Sequence, residues 1–268
     1  MTDPYVQYRV ADGVATLTLD SPHNRNAMST RLVTELRQGL ADAAADPAVR
    51  AVALTHTGGT FCAGADLTEA SAASGDGDPA AADAAAPAAL AAGRARSMVE
   101  LLRAIIELPK PVVGRIDGHV RAGGMGLVGA CDIVIAGPSC TFALTEARLG
   151  LAASIISLTV LPRLTSRAAG RYFLTGEKFG PQEAAGLGLV TITADNTAEA
   201  TTAILEQLRL ASPQGLAESK ALTTAAILAE FDRSADSLAA QSARLFGSKE
   251  SLEGMKAFLQ KRRPGWAR

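Results

Sequence analysis

The stretch GMGLVGA, residues Gly124 to Ala130, spells the G-x-G-x-x-G/A pattern of a dinucleotide-binding turn. PVVGRI at Pro111 to Ile116 reads as a buried strand upstream of it, and Glu146 lies 20 residues beyond Gly126, near where a ribose-binding acid would stand. Space decides against that reading. A dinucleotide fold needs a crossover helix of about a dozen residues after its glycines. Here DIVIA, Asp132 to Ala136, is already strand-like, so a helix opening at Gly123 must end near Cys131. Gly126 and Gly129 would lie inside that helix, each costing about 0.8 to 1 kcal/mol relative to Ala unless something must approach the backbone closely. Helix packing against a strand explains Gly129, and the run Gly123, Gly124, Gly126 asks for more.

The same alternation of strand, glycine turn and helix recurs along the chain. VATLTL, Val14 to Leu19, alternates as a half-buried strand after a turn at Ala11 to Gly13, so the chain opens with a hairpin. The loop SPHNRNAMS leads to a helix capped by Ser29 or Thr30, with Leu32, Val33, Leu36 and Leu40 on one face and a stop at Asp46-Pro47. VRAVALT, Val49 to Thr55, is a further strand running into the loop GGTFCAGAD, Gly58 to Asp66. The segment from Ala70 to Gly93 has almost no large apolar side chain and reads as a mobile surface excursion, with a helix resuming about Arg94 and burying Met98, Leu101, Leu102, Ile105 and Ile106. Short strands follow at Ile133 to Ile135 and Thr141 to Ala143. The fold class is α/β, organised as a core over residues 1–195 and a helical region over 196–268. Helices are expected there at Thr197 to Leu210 and Leu252 to Lys261. The stripe Leu216, Leu222, Ile227, Leu228, Phe231, Leu238, Leu245 and Phe246 suits a subunit interface.

Bulk properties narrow the partners. Of 268 residues 48% are hydrophobic, enough for one large core without staples. The 26 Lys and Arg against 27 Asp and Glu give a formal charge of -1, without the basic excess that nucleic acid binding needs. With 7 Phe, 3 Tyr and 1 Trp, any cleft is lined mainly by aliphatic groups and backbone. Cys62, Cys131 and Cys140 form neither a disulfide framework nor a zinc pattern, so no metal site is expected. No basic, apolar leader opens MTDPYVQYRV and no run of 18 apolar residues occurs, so neither secretion nor a membrane partner is expected, and the location expected is cytoplasmic.

Two strand-to-turn junctions rich in small residues, FCAGADL at Phe61 to Leu67 and the glycines from Gly123, can aim two backbone N–H groups at one point. A thioester oxygen placed there would be stabilised as it gains enolate charge, helped by the positive end of the helix. With RNAMS at Arg25 to Ser29, FCAGADL, PKPVVGRIDGHVRAGGMGLVGACDIVIA at Pro109 to Ala136 and FALTEARLGL at Phe142 to Leu151, in that order and spacing, the chain resembles the crotonase, or enoyl-CoA hydratase/isomerase, superfamily along essentially its whole length. The tail EGMKAFLQKRRPGW is similar to the family's last helix.

That resemblance implies a spiral of ββα repeats with a C-terminal trimerisation region, and homotrimers or homohexamers. It implies an acyl-CoA substrate, with coenzyme A part of that substrate and no separate cofactor. Ala65 and Gly123 would supply the two oxyanion N–H groups, while Arg25, Ala27, Ala63, Gly64, Asp66 and Leu67 match positions lining the coenzyme A site. Asp66 also reads as a helix N-cap. The family's hydratases carry two glutamates: the second matches Glu146, whereas the first falls on Gly126, which has no side chain to move a proton. Outside this motif Glu146 would read as an exposed acid paired with Arg148. Inside it, an apolar pocket should lift its pKa toward roughly 6 to 7. Three readings follow: an enoyl-CoA hydratase, with a branched glutaconyl-type thioester as first choice; a Δ3,Δ2-enoyl-CoA isomerase using one glutamate; and an acyl-CoA-binding paralogue with little catalysis. His23, His56 and His119 occupy no catalytic position that the family shares, Cys62 and Cys131 read as buried fillers, and Lys261 to Arg263 reads as a solvated charge run that the family tail sometimes brings to a coenzyme A phosphate.

Overall fold

The computed structural model describes residues 3–66, 68–69 and 85–267. Two sheets, built alternately by successive segments of chain, set the position of everything else. The larger contains β1 (Val6–Ala11), β2 (Val14–Leu19), β3 (Ala51–His56), β5 (Val112–Ile116), β7 (Ile133–Ala136) and β9 (Ile192–Thr193) in the order β1-β2-β3-β5-β7-β9. Only the opening hairpin is antiparallel; its Asp12-Gly13 turn has φ of +49° and +74°, the left-handed pair that suits a two-residue connection. Pairings from β2 to β9 are parallel.

The smaller sheet contains β4 (Thr60–Cys62), β6 (His119–Arg121) and β8 (Phe142–Ala143), all parallel, with β6 in the middle. Thus β3 is followed by β4, β5 by β6 and β7 by β8, so each turn of chain adds one strand to each sheet before its helical return. The expected spiral of ββα repeats is realised. Helix α1 (Thr30–Ala45) starts at Ser29, whose side chain accepts from Leu32 N, and buries Leu32, Val33, Leu36 and Leu40 as their spacing requires. Helix α2 (Ala85–Glu107) seals the middle of the core with Leu101, Leu102, Ile105 and Ile106.

The expected surface excursion is corrected in part. Residues 70–84 lie outside the described residues, but α2 begins at Ala85 rather than near Arg94. The alanines favour helix, Pro87 falls in the first turn where a missing N–H costs little, and Gly93 costs only about 1 kcal/mol. Helix α3 (Gly123–Ala130) is short, as the strand at Ile133 demands. Beyond it come α4 (Ser157–Val160), α5 (Ser166–Thr175) and α6 (Pro181–Gly186), then α7 (Thr197–Leu210), α8 (Pro213–Phe246) and α9 (Lys249–Leu259).

Helix α8 is 34 residues long and packs along α2, burying Lys220, Thr224, Ile227, Phe231, Ala235 and Ala239 at intervals of three or four. Leu222 does not share that face: it is 81% exposed, five residues from Ile227 and so well round the helix from it. Lys220 is buried yet fully engaged, donating to Ile105 O (2.8 Å) and Lys110 O (3.2 Å) and paired with Asp132 at 2.7 Å. It ties the helical region to the sheet core. No helix among the described residues is long and apolar enough to cross a membrane.

Candidate active site

Parallel strands deliver their following loops to one edge, the usual place for a ligand in such sheets. In the small sheet Cys62 pairs with Val120, and Arg121 with Ala143. The loops after β4, β6 and β8 therefore emerge side by side, carrying Ala63 to Asp66, Gly123 and Glu146. Of the site residues expected from sequence, Leu67 lies outside the described residues.

The first loop is strung on the segment around Arg25. Ala63 N donates to Arg25 O (3.1 Å) and Met28 N to Gly64 O (2.8 Å), and Met28 bridges Ala65 in parallel register. Arg25 and Asn26 both hold left-handed backbone, with φ of +59° and +52°. Asn26 is fully buried: its Oδ1 accepts from Ser21 N (2.8 Å) while its Nδ2 donates to Thr57 O (3.1 Å) and Thr60 O (2.8 Å). This residue pins the RNAMS loop to the start of β4, a role not assigned from the sequence, although Asn tolerates positive φ better than most residues. Ala27 is buried, Arg25 and Ala65 are exposed, and Ala63 and Asp66 are half-buried. Asp66 behaves as a cap: its Oδ1 accepts from Thr68 N (3.0 Å) and Glu69 N (3.4 Å), and its Oδ2 from Asn24 Nδ2 (3.1 Å). Burial alone would raise its pKa, but those hydrogen bonds, led by the Thr68 hydroxyl, hold it below the usual value.

The second loop is locked against the first. Gly64, at φ +93°, lies so close to the β6 turn that a methyl group on it would stand 2.7 Å from Ala122 Cβ and 3.5 Å from Gly123 N. Ala122 is strained, with φ +47° and ψ -121°, a conformation that non-glycine residues seldom adopt. It is held there from both sides, its N–H donating to Ala143 O (3.0 Å) and its carbonyl accepting from Met125 N (2.8 Å). The kink turns the chain from strand to helix and leaves Gly123 N–H at the head of α3, without an intrahelical acceptor. A side chain at Gly123 would collide with Met28 Cε, so Met28 roofs the turn.

Glu146 opens a 3-10 turn, Glu146–Leu149, three residues beyond β8. The residue is half-buried as a whole, but its Oε2 is sealed from solvent and has no hydrogen-bond partner. Burial pushes its pKa up to about 7, against a smaller lowering from its own backbone N–H. The pairing with Arg148 does not form: Arg148 Nε donates to Thr175 O (2.7 Å) instead. A desolvated carboxyl with one unpartnered oxygen, on the edge that bears two small-residue turns, is a candidate for moving protons.

The family model for enoyl-CoA hydratase/isomerase matches residues 9–268. The chain belongs to the enoyl-CoA hydratase/isomerase family. It is 55% identical to a crystallised enoyl-CoA hydratase from Mycobacterium avium, covering 99% of this chain and 100% of that one with a TM-score of 0.88. An enoyl-CoA hydratase from Mycobacterium smegmatis matches at 30% identity and a TM-score of 0.75, over 99% and 100% of the two chains. The 1,2-epoxyphenylacetyl-CoA isomerase of Escherichia coli is 31% identical over 265 residues, 97% of each chain. These names bear out the expectation of a hydratase or a closely related isomerase.

Within this enoyl-CoA hydratase/isomerase chain, the place of the missing first glutamate is closed by packing. A side chain at Gly126 would begin 2.6 Å from Ile156 Cγ2 and 3.3 Å from Leu102 Cδ1. Thr159 Oγ1 fastens the same spot by donating to Gly126 O (2.9 Å). Ile156 was not singled out from the sequence, because only the tertiary fold brings α4 against α3. Gly129, as its packing reading implies, would strike Thr159 O at 2.6 Å if substituted. His56 accepts from Asp117 N at Nε2 (3.0 Å), and His119 meets Thr141 Oγ1 (2.9 Å). Cys62 and Cys131 are buried thiols pushed up to about 12 by desolvation. In the tail, Arg262 is engaged by Glu253 at 2.6 Å. Among the described residues no cluster of three or more His, Cys, Asp or Glu side chains could hold a metal ion.

Proposed function

We propose that the protein adds water to an α,β-unsaturated acyl-CoA thioester, with Glu146 as the proton-transferring group and the N–H groups of Ala65 and Gly123 as the oxyanion hole. The observation that carries this is the sealed, unpartnered Glu146 Oε2 on the sheet edge that also bears Gly64 and Gly123. In the forward direction the Glu146 carboxylate takes a proton from water while the water oxygen bonds to Cβ. The displaced π electrons move to the thioester oxygen, where the two amides stabilise the enolate. The protonated Glu146 then gives its proton to Cα, restoring the carbonyl and the carboxylate, so one water is added across the double bond. A group with a pKa of about 7 suits both halves of this exchange.

Coenzyme A enters as part of the substrate, and these transfers need no separate cofactor. Arg25, Ala27, Ala63, Gly64, Asp66 and Leu67 would form the coenzyme A side of the site in this reading, supported among the described residues by the exposed Arg25 and the small residues beside it. A branched glutaconyl-type acyl group is the first choice of substrate. Homotrimers or homohexamers are the assembly proposed, supported by the exposed Leu222, Phe258 and Leu259 of the helical region.

The packing of Ile156 over Gly126 favours one-carboxylate chemistry, and so supports a second reading. In an isomerase Glu146 would take the Cα proton of a 3-enoyl thioester and return it at Cγ through a dienolate. Product mass separates the two. A panel of 2-enoyl-, 3-enoyl- and glutaconyl-CoA thioesters is incubated with the wild type and Glu146→Gln. Products heavier by one water that fall by at least about 100-fold in the variant support the hydratase. Isobaric products support the isomerase, and equal turnover by the variant removes Glu146 from either mechanism.

A further inference from the structure

Apart from the sealed Glu146 carboxyl, the turn that carries it has little burial of its own. Glu146–Leu149 is four residues long and none of them is buried. Something else must hold the carboxyl against the neighbouring loops. One grip is Arg148, whose Nε bonds to Thr175 O at the end of α5. The other is α9, and its contact is of an unusual kind. A Cβ on Gly254 would lie 2.6 Å from the carbonyl carbon of Leu149 and 2.8 Å from its Cα. Reciprocally, a Cβ on Gly150, at φ +70°, would lie 2.6 Å from Glu250 C and 2.8 Å from Ser251 N. Gly150 caps the 3-10 turn, and Glu250 and Gly254 are one helical turn apart on α9. Two glycines, one on each element, thus let backbone press on backbone directly after the Glu146 turn.

Helix α9 is itself firmly seated. Ser248 caps it, Ser251 is fully buried with its Oγ donating to Phe246 O (3.0 Å), and Met255 and Ala257 are buried. It can therefore transmit position. We propose that α9 is the positioning element for the Glu146 carboxyl, and that Gly254 is the positioning residue that sets how closely the helix holds the turn. The contact is independent of any reaction; its meaning for turnover rests on the reading of Glu146 given above.

The consequence is geometric. A methyl group at 254 meets main-chain atoms, which have no rotamer to change, so helix and turn must part by roughly 1 Å to reach ordinary contact. A displacement of that size at a reacting group costs about 100-fold in rate. It also admits water to Oε2. No charged group replaces that effect: Arg148 is turned to Thr175 O, Glu250 meets the turn through its main chain, and burial is the dominant influence on the Glu146 titration.

The test compares wild type, Gly254→Ala, Ser251→Ala and, as a control, Lys256→Ala at an exposed site on the same helix. Steady-state turnover is read with the thioester that the wild type turns over best. The titration of Glu146 is read by carboxyl carbon NMR, assigned by its absence in Glu146→Gln. Folding is checked by circular dichroism. Gly254→Ala is expected to lower kcat about 100-fold with KM changed by less than about threefold. Its Glu146 midpoint is expected to move from near 7 toward the ordinary carboxylate range. Ser251→Ala, which loosens α9 without adding an atom, is expected to move both readouts the same way by less, and keeps the test decisive if Gly254→Ala does not fold. Lys256→Ala is expected to change neither. A folded Gly254→Ala, or Ser251→Ala in its stead, with the wild-type midpoint overturns the proposal. If the wild type turns nothing over, the proposed function fails while the NMR midpoint still decides the role of α9.

Discussion

Replacing Glu146 by Gln should change stability in a way that depends on pH, because the folded protein holds this proton more tightly than the unfolded chain does. In the unfolded chain the carboxyl titrates near 4.5; in the fold, desolvation lifts it to about 7. Stability falls with rising pH wherever the folded state binds the extra proton, here between those two values. Below 4.5 both states are protonated and the group contributes nothing; above 7 the full penalty is present. A separation of this size corresponds to about 3 kcal/mol at 1.36 kcal/mol per pH unit. Gln, neutral throughout, escapes the penalty. The variant should therefore be more stable than wild type by less than about 1 kcal/mol at pH 5 and by about 3 kcal/mol at pH 8. The latter corresponds to a Tm gain of roughly 6 to 12 °C for a chain of this size. Urea denaturation of both proteins at pH 5, 6, 7 and 8 measures the gap. A gap that stays constant across that range would refute the claim that Glu146 is held protonated by burial.

Gly64→Ala should bring the two turns of the site apart, since its methyl meets Ala122 Cβ at 2.7 Å in a left-handed backbone; about 1 to 3 kcal/mol of stability should be lost in urea and turnover should fall, while Gly59→Ala, open on all sides, should leave turnover unchanged. Gly126→Glu should be destabilised by about 1 to 3 kcal/mol through overpacking on Ile156, and combining it with Ile156→Ala should recover most of that loss in the same denaturation assay. Lys220→Ala should cost about 3 to 5 kcal/mol by stranding Asp132 and two carbonyl groups; a loss under 1 kcal/mol would show that the buried pair does not join α8 to the sheet.

The longer strands of the large sheet were readable, because β2, β3 and β5 are five or six residues long and either alternate or run apolar between turns, whereas the two-residue β9 was not read. The short length of α3 followed from the proximity of DIVIA, which is what removed the dinucleotide reading. By contrast β4 and β6 have three residues each and lay hidden in what read as glycine loops, since a period of two leaves no trace over three positions. Yet those strands carry the site: their parallel pairing with β8 is what sets Gly64, Gly123 and Glu146 along one edge. The motif residues could be named from their order in the chain, while their supports could not. Asn26, Met28, Ala122 and Ile156 act through contacts between segments far apart in sequence, and a left-handed Ala leaves no mark in composition.

The pattern of misses has a physical cause. A site of this kind places small residues where backbones must touch, and a small residue looks alike whether it serves a turn, a helix contact or a ligand. Gly64, Gly123, Gly126, Gly129, Gly150 and Gly254 differ in sequence only by position, but each is opposed by a different atom group, from the Ala122 methyl to the Leu149 main chain. Glycines thus record how closely elements approach without recording which elements. Substituting each by Ala should sort them by what they oppose. Gly129 and Gly254, which face main-chain atoms, should lose stability or geometry outright, whereas Gly123, which faces the flexible end of Met28, should fold nearly as well as wild type. A Gly123→Ala protein as unstable as Gly129→Ala would show that the Met28 roof is rigid.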